Sequence, residues 1–155
     1  MVEHNGRNET PDERLDRLWV DQLQELRVMQ TGVQLVAGFL LTLPFQPTFD
    51  ELDGVQRGIF LGLMTTAALS TLSVITAISV HRRLTGRQVK DKVVAVGAVA
   101  LRSAVAGVAV LVVGMLTFIV DVVVGRTSAA VVAVVVGLLA AFLVTVLPRV
   151  LARGL

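Results

Sequence analysis

Six residues stand out as candidates for polar chemistry in an otherwise apolar chain: Arg27, Gln30, Thr31, Gln34, Arg102 and Asp121. Gln30, Thr31 and Gln34 lie within little more than one helical turn, with Arg27 a turn before them, so on a helix they share a face. Amides placed in this way can line a polar path or bind a polar ligand. They can equally bond across to a neighbouring helix, which in lipid contributes under ~2 kcal/mol each. Arg102 interrupts a long apolar run. At a bilayer centre an arginine costs about 2.5–3.5 kcal/mol, but near the end of a span it can extend to the interface for much less. Its expected place is that interface, with Asp21 or Glu25 as ion-pair partner. Asp121 is either a cation or proton site or the hairpin partner of Arg126, Thr127 or Ser128.

A second group is basic. The segment HRRLTGRQVKDK, residues 81–92, holds Arg82, Arg83, Arg87, Lys90 and Lys92 against one Asp. Beside a membrane such a cluster can contact anionic lipid, at up to ~1 kcal/mol per residue, or act only as a topology signal. It has no aromatic residue, so nucleic-acid binding is not expected. Catalytic groupings are missing: there is no phosphate-binding glycine loop, no HExxH and no GxSxG. With two histidines and no cysteine in 155 residues, neither an enzyme nor a metal or cofactor site is expected.

The elements that must position these residues are apolar helices. The chain is 54% hydrophobic and 17% charged, and its charges crowd into residues 1–27, 50–57 and 81–92. A soluble helical protein distributes charge along one face of each helix; this chain segregates it, as a bilayer requires. Runs such as VVAVVVGLLAAFLVTVL do not alternate, which excludes the strands of a β-barrel. The fold class expected is therefore all-α, an integral membrane four-helix bundle with an N-terminal amphipathic helix.

Residues 1–9 are polar and expected to be disordered, with no cleavable signal peptide. Thr10, Pro11 and Glu13 form a capping box with proline at the first helical position. An amphipathic helix is expected over 10–29, with Leu15, Leu18, Trp19, Leu26 and Met29 on one face and Trp19 suited to the headgroup region. Four spans follow within 28–151, at about 28–45, 58–80, 103–124 and 127–147. Pro44 and Pro47 end the first, near the lower length limit for crossing. Thr48 with Glu51 forms a second capping box, and Asp53-Gly54 a turn. Asp121, Gly125 and Arg126 mark a tight hairpin, and Pro148 ends the last span. Small residues line the later spans: Gly58 to Ala77 on the second, Ser103 to Asp121 on the third, Ala129 to Ala141 on the fourth, as close packing in lipid requires. Counting Arg102, twelve Lys or Arg fall on one side and two, Arg57 and Arg126, on the other. That asymmetry places both termini in the cytoplasm of a multi-pass plasma-membrane protein.

At QELRVMQTGVQLVAGFLLTLPF, residues 24–45, the sequence resembles a family of small four-span membrane proteins found mainly in actinobacteria and catalogued as a domain of unknown function. The resemblance continues through FDELDGVQRGIF at 49–60, the HRR of 81–83, Arg102 and the Asp-x-x-x-Gly-Arg of 121–126, so it covers most of the chain. Its specific part is the first segment. Some members carry a sodium–proton antiporter label. An exchanger needs a titratable site near the midplane, and none falls mid-span here. The reading this favours is a non-enzymatic structural or accessory subunit, partnered by lipid and by a second copy or another membrane protein. The alternative is a small cation or proton permease, as an oligomer, using Gln30, Gln34 and Asp121.

Overall fold

The computed structural model describes residues 10–84 and 90–153. Its elements are α1 (Pro11–Thr42), two short 3-10 turns (Leu43–Phe45 and Pro47–Phe49), α2 (Gly54–Leu84), α3 (Lys90–Val123), α4 (Arg126–Ala141), a π-helical turn (Phe142–Val146) and α5 (Leu147–Arg153). The described residues include no strand, and the molecule is an all-α helical bundle. The segment 1–9 and Arg87 lie outside the described residues.

α1 opens as its sequence dictates. The Thr10 amide donates to Glu13 Oε2 at 2.8 Å, the Glu13 amide donates to Thr10 Oγ1 at 3.3 Å, and Pro11 sits at the first position. The helix then runs unbroken for 32 residues, so the amphipathic segment and the first span are one rod of about 48 Å. The reason is a continuous seven-residue repeat on its inner face: Trp19, Leu26, Val33 and Leu40 are all buried. Nothing between Pro11 and Pro44 breaks the helix, and the glycines at 32 and 38 are tolerated within it. The helix gives way at Pro44, which lacks the amide that would continue the ladder; Leu43 keeps helical geometry and opens a 3-10 turn.

The start of α2 differs from the reading at Thr48. The Glu51 amide bonds the Thr48 carbonyl, which makes a turn rather than a side-chain cap. The capping box falls at Asp53 instead. Asp53 Oδ1 accepts the Val55 and Gln56 amides at 2.8 and 2.9 Å, while the Asp53 amide donates to Gln56 Oε1 at 3.0 Å. Aspartate has the acceptor needed for the first free amides of a helix, and its charge suits that end of the macrodipole.

α1, α2 and α3 form a three-helix core in two apolar layers. One gathers Trp19, Leu26, Val74, Ala77, Val93, Ala100 and Ala104; the other gathers Val33, Leu40, Phe60, Leu63, Ala67, Leu111 and Phe118. Among the described residues α4 packs against α3 and the π turn that continues it, and Ala129 is its one buried residue. Residues 141–153 are all exposed. The helix does not stop at Pro148, which is the second residue of α5. A π turn immediately before it widens the backbone, which relieves the clash of the proline ring with the carbonyl four residues back.

Four stretches are long and apolar enough to cross a membrane: Glu13–Phe45, Gly54–Arg83, Val93–Val123 and Arg126–Arg153. Their outward side chains include Leu35, Leu61, Leu69, Ile78, Val99, Val112 and Leu138, all exposed. A water-soluble protein does not present an apolar surface of that extent.

Candidate functional site

The polar candidates lie in three separate places. The first is the end of the bundle where α2 begins and α3 gives way to α4. The α3–α4 hairpin closes through bonds from the Val124 and Gly125 amides to the Val120 carbonyl at 2.8 and 3.0 Å. Gly125 adopts φ +115°, which a residue with a β-carbon rarely adopts. This turn brings Arg126 back over Asp121. Arg126 Nε donates to Asp121 Oδ1 at 3.0 Å and its Nη2 donates to Asp53 Oδ2 at 2.6 Å. One guanidinium thus clasps α2, α3 and α4, using the planar fork that suits arginine to two carboxylates.

The charges in this clasp make sense only together. Asp121 stands at the negative end of the α3 dipole and Arg126 at the positive end of α4, so each alone is unfavourably placed; paired, they offset each other. The Asp121 side chain is 2% exposed and Arg126 about half exposed. Asp121 Oδ2 is buried and has no hydrogen-bond partner among the described residues. Asp53 titrates below its ordinary value, chiefly because the Gln56 amide donates to it, with the Val55 amide and Arg126 adding to the shift against desolvation. The pairing of Asp121 with Arg126 was among the expected ones. Asp53 was missed: the pair Asp-Gly reads as a turn, although Asp-x-x-Gln before an apolar run is itself a cap signature.

The second place is the opposite end, where Trp19 stacks on His81 with ring centroids 4.5 Å apart and planes at 17°. Trp19 is 6% exposed, wedged between helices. Gly97 of α3 makes the room, since a β-carbon there would lie 2.7 Å from the Trp19 ring. Trp19 Nε1 and Gln22 Oε1 are buried there without hydrogen-bond partners among the described residues. Arg102 does not clamp α1. It is exposed, and its Nε donates to the Ala98 carbonyl at 3.1 Å on its own helix. No ion pair joins it to Asp21 or Glu25 among the described residues; those two instead line a recess of about 460 Å³ with Val28, Leu101 and Val105. The physical reason is cheap local satisfaction: at an exposed position a guanidinium gains little from a surface carboxylate. Arg82 and Arg83 are exposed at this end. Lys90 and Lys92 lie at the start of α3, and their side chains are outside the description.

The third place is the outer side of α1. Arg27, Thr31 and Gln34 are exposed and Gln30 is partly so. Thr31 donates to the Arg27 carbonyl at 3.0 Å. The core side of this helix belongs to Leu26, Val33 and Leu40, so the shared polar face points away from the bundle. Nor do the hydroxyls of α2 reach toward it: Thr66 and Ser73 bond the Gly62 and Leu69 carbonyls of their own helix. Gln34 and Asp121 are therefore not brought into one site.

Apolar helices of spanning length and a hydrocarbon-like exterior define a multi-pass helical membrane protein. Residues 8–148 match the model of a family of unknown function, DUF6328, and the chain belongs to that family. No curated protein and no solved structure matches it.

Proposed function

We propose that this is a non-enzymatic plasma-membrane protein acting as a structural or accessory subunit, with both termini cytoplasmic. One observation carries the reading: the residues able to do polar chemistry are dispersed over two ends and an outer face, while the side chains buried between α1, α2 and α3 are apolar apart from Ser70 and the buried polar atoms of Trp19 and Gln22. A transporter needs its polar groups convergent near the midplane. The orientation rests on the twelve-to-two distribution of basic residues. On this reading the end carrying Arg82 and Arg83 faces anionic lipid, with Arg87, Lys90 and Lys92 adding to the charge.

A small cation or proton permease is the second reading. The observation favouring it is Asp121, a buried carboxylate with one oxygen unpartnered among the described residues. Ion flux in proteoliposomes separates the two. Under an imposed pH gradient, with and without sodium or potassium, the first reading expects no flux above empty liposomes from folded, inserted protein. Cation-dependent proton movement abolished by Asp121→Asn would replace it with the second.

A further inference from the structure

α1 carries two seams. The inner one, Trp19, Leu26, Val33 and Leu40, is buried against α2 and α3. The outer one follows the alternating three- and four-residue spacing of a coiled-coil seam through Gln24, Arg27, Thr31, Gln34, Gly38 and Leu41, every one of them exposed. An exposed seam of leucines would simply face lipid. This one cannot do so without cost. α1 ends at Thr42, so Gln34 lies about 12 Å below that end, near the middle of a ~30 Å hydrocarbon core. The Gln34 amide has no hydrogen-bond partner among the described residues, and lipid tails supply none.

We propose that this outer face of α1 is a homotypic interface, in which Gln34 pairs with Gln34 of a second copy across a twofold axis normal to the membrane. Three features select a second copy as occupant. A carboxamide carries both donors and acceptors, so it is complementary to itself, and copies inserted with the same topology bring position 34 opposite position 34. Gly38, one turn further on, has nothing within 4 Å of its missing β-carbon, so two backbones can approach closely beside the amide pair. Close approach at small residues and hydrogen bonds from polar ones are the forces that associate helices in lipid. The seven-residue repeat sets a left-handed crossing. Arg27 does not oppose this: side chains on a helix lean toward its N-terminus, which carries the guanidinium toward the water at the Trp19–His81 end. The inference rests only on α1 crossing the bilayer, so it is independent of the flux result.

The chain has no cysteine, which makes the test direct. Single cysteines at Thr31 and Gly38 in the full-length protein, reconstituted in phosphatidylcholine vesicles, should form disulfide-linked dimers on oxidation. Cysteines at Leu69 of α2 and Leu138 of α4, which are also exposed, should not. In energy-transfer dilution experiments Gln34→Leu should weaken association about three- to twentyfold, and Gln34→Asn should restore most of it. Gln34 is exposed, off the buried face of α1, so both variants should keep the parent's helicity and melting temperature. Monomer at every protein-to-lipid ratio, equal cross-linking at 69 and 138, or unchanged association in Gln34→Leu would each overturn the proposal. So would cross-linking to a different protein in native membranes that leaves the purified chain monomeric.

Discussion

α3 and α4 are nearly the same helix by composition, both dominated by valine, alanine and leucine, yet one is the centre of the bundle and the other lies on its flank. Among the described residues α3 touches α1, α2 and α4, while α4 touches α3 and the π turn that continues it. The difference lies in where glycine meets a neighbour. On α3 a β-carbon at Gly97 would strike Trp19, at Gly107 the Ser70 hydroxyl, and at Gly114 Leu63 Cδ2 at 2.6 Å. On α4 the corresponding position, Gly137, is 3.9 Å from Val113 Cγ1, which is ordinary contact. Hydropathy takes a helix into the membrane, but it does not order helices within it, because a lipid tail and a leucine are equivalent neighbours. Close approach at small residues does that ordering.

The sharpest way to break this comparison is at the glycines. Gly107→Leu should prevent α2 and α3 from packing and leave little folded protein. The milder Gly107→Ala should destabilise by about 1–3 kcal/mol through overpacking, read as denaturant midpoint in detergent. Gly137→Ala on α4 should be neutral or slightly stabilising, since alanine is the better helix former and space is available. Equal losses at 107 and 137 would erase the distinction.

The clasp sharpens the comparison from the other side, because it ties α4 to helices it otherwise does not touch. Arg126→Gln should loosen α4 while sparing the three-helix core: amide exchange should rise over residues 126–141 and change little around Leu111. Lysine at 126 should restore only part of the protection, since an ammonium lacks the two-pronged geometry. A smaller effect comes from pH. Asp53 titrates below its ordinary value of 3.8 in the folded protein. Its contribution is therefore present above that value and is lost as pH falls through the lower, folded one. The melting temperature should decline on acidification below about pH 4, and Asp53→Asn should flatten that decline.

Much of the architecture was legible in the sequence, and what was hidden follows one pattern. The capping box at Thr10, the hairpin at Gly125 and the four apolar helices depend on local chemistry, and local chemistry is what a sequence displays. The continuity of α1 was obscured because charged and apolar segments look like separate elements; only the burial of Trp19, Leu26, Val33 and Leu40 joins them. Asp53 was hidden because its second role, receiving Arg126 from 73 positions away, has no local signature. The direction of the Gln34 face was not legible either: the periodicity groups Arg27, Thr31 and Gln34 on one side but does not say which side faces the bundle.

The central claim is that four helices cross the bilayer, with the Asp53–Arg126–Asp121 clasp on the face opposite the basic loop. Single cysteines at Arg14, Thr48, Arg83 and Val124, labelled in sealed vesicles with a membrane-impermeant maleimide, test it most directly. The account predicts that 48 and 124 react from one side only and 14 and 83 only from the other. Labelling of 48 and 83 from the same side would mean that α2 does not cross, and would contradict it.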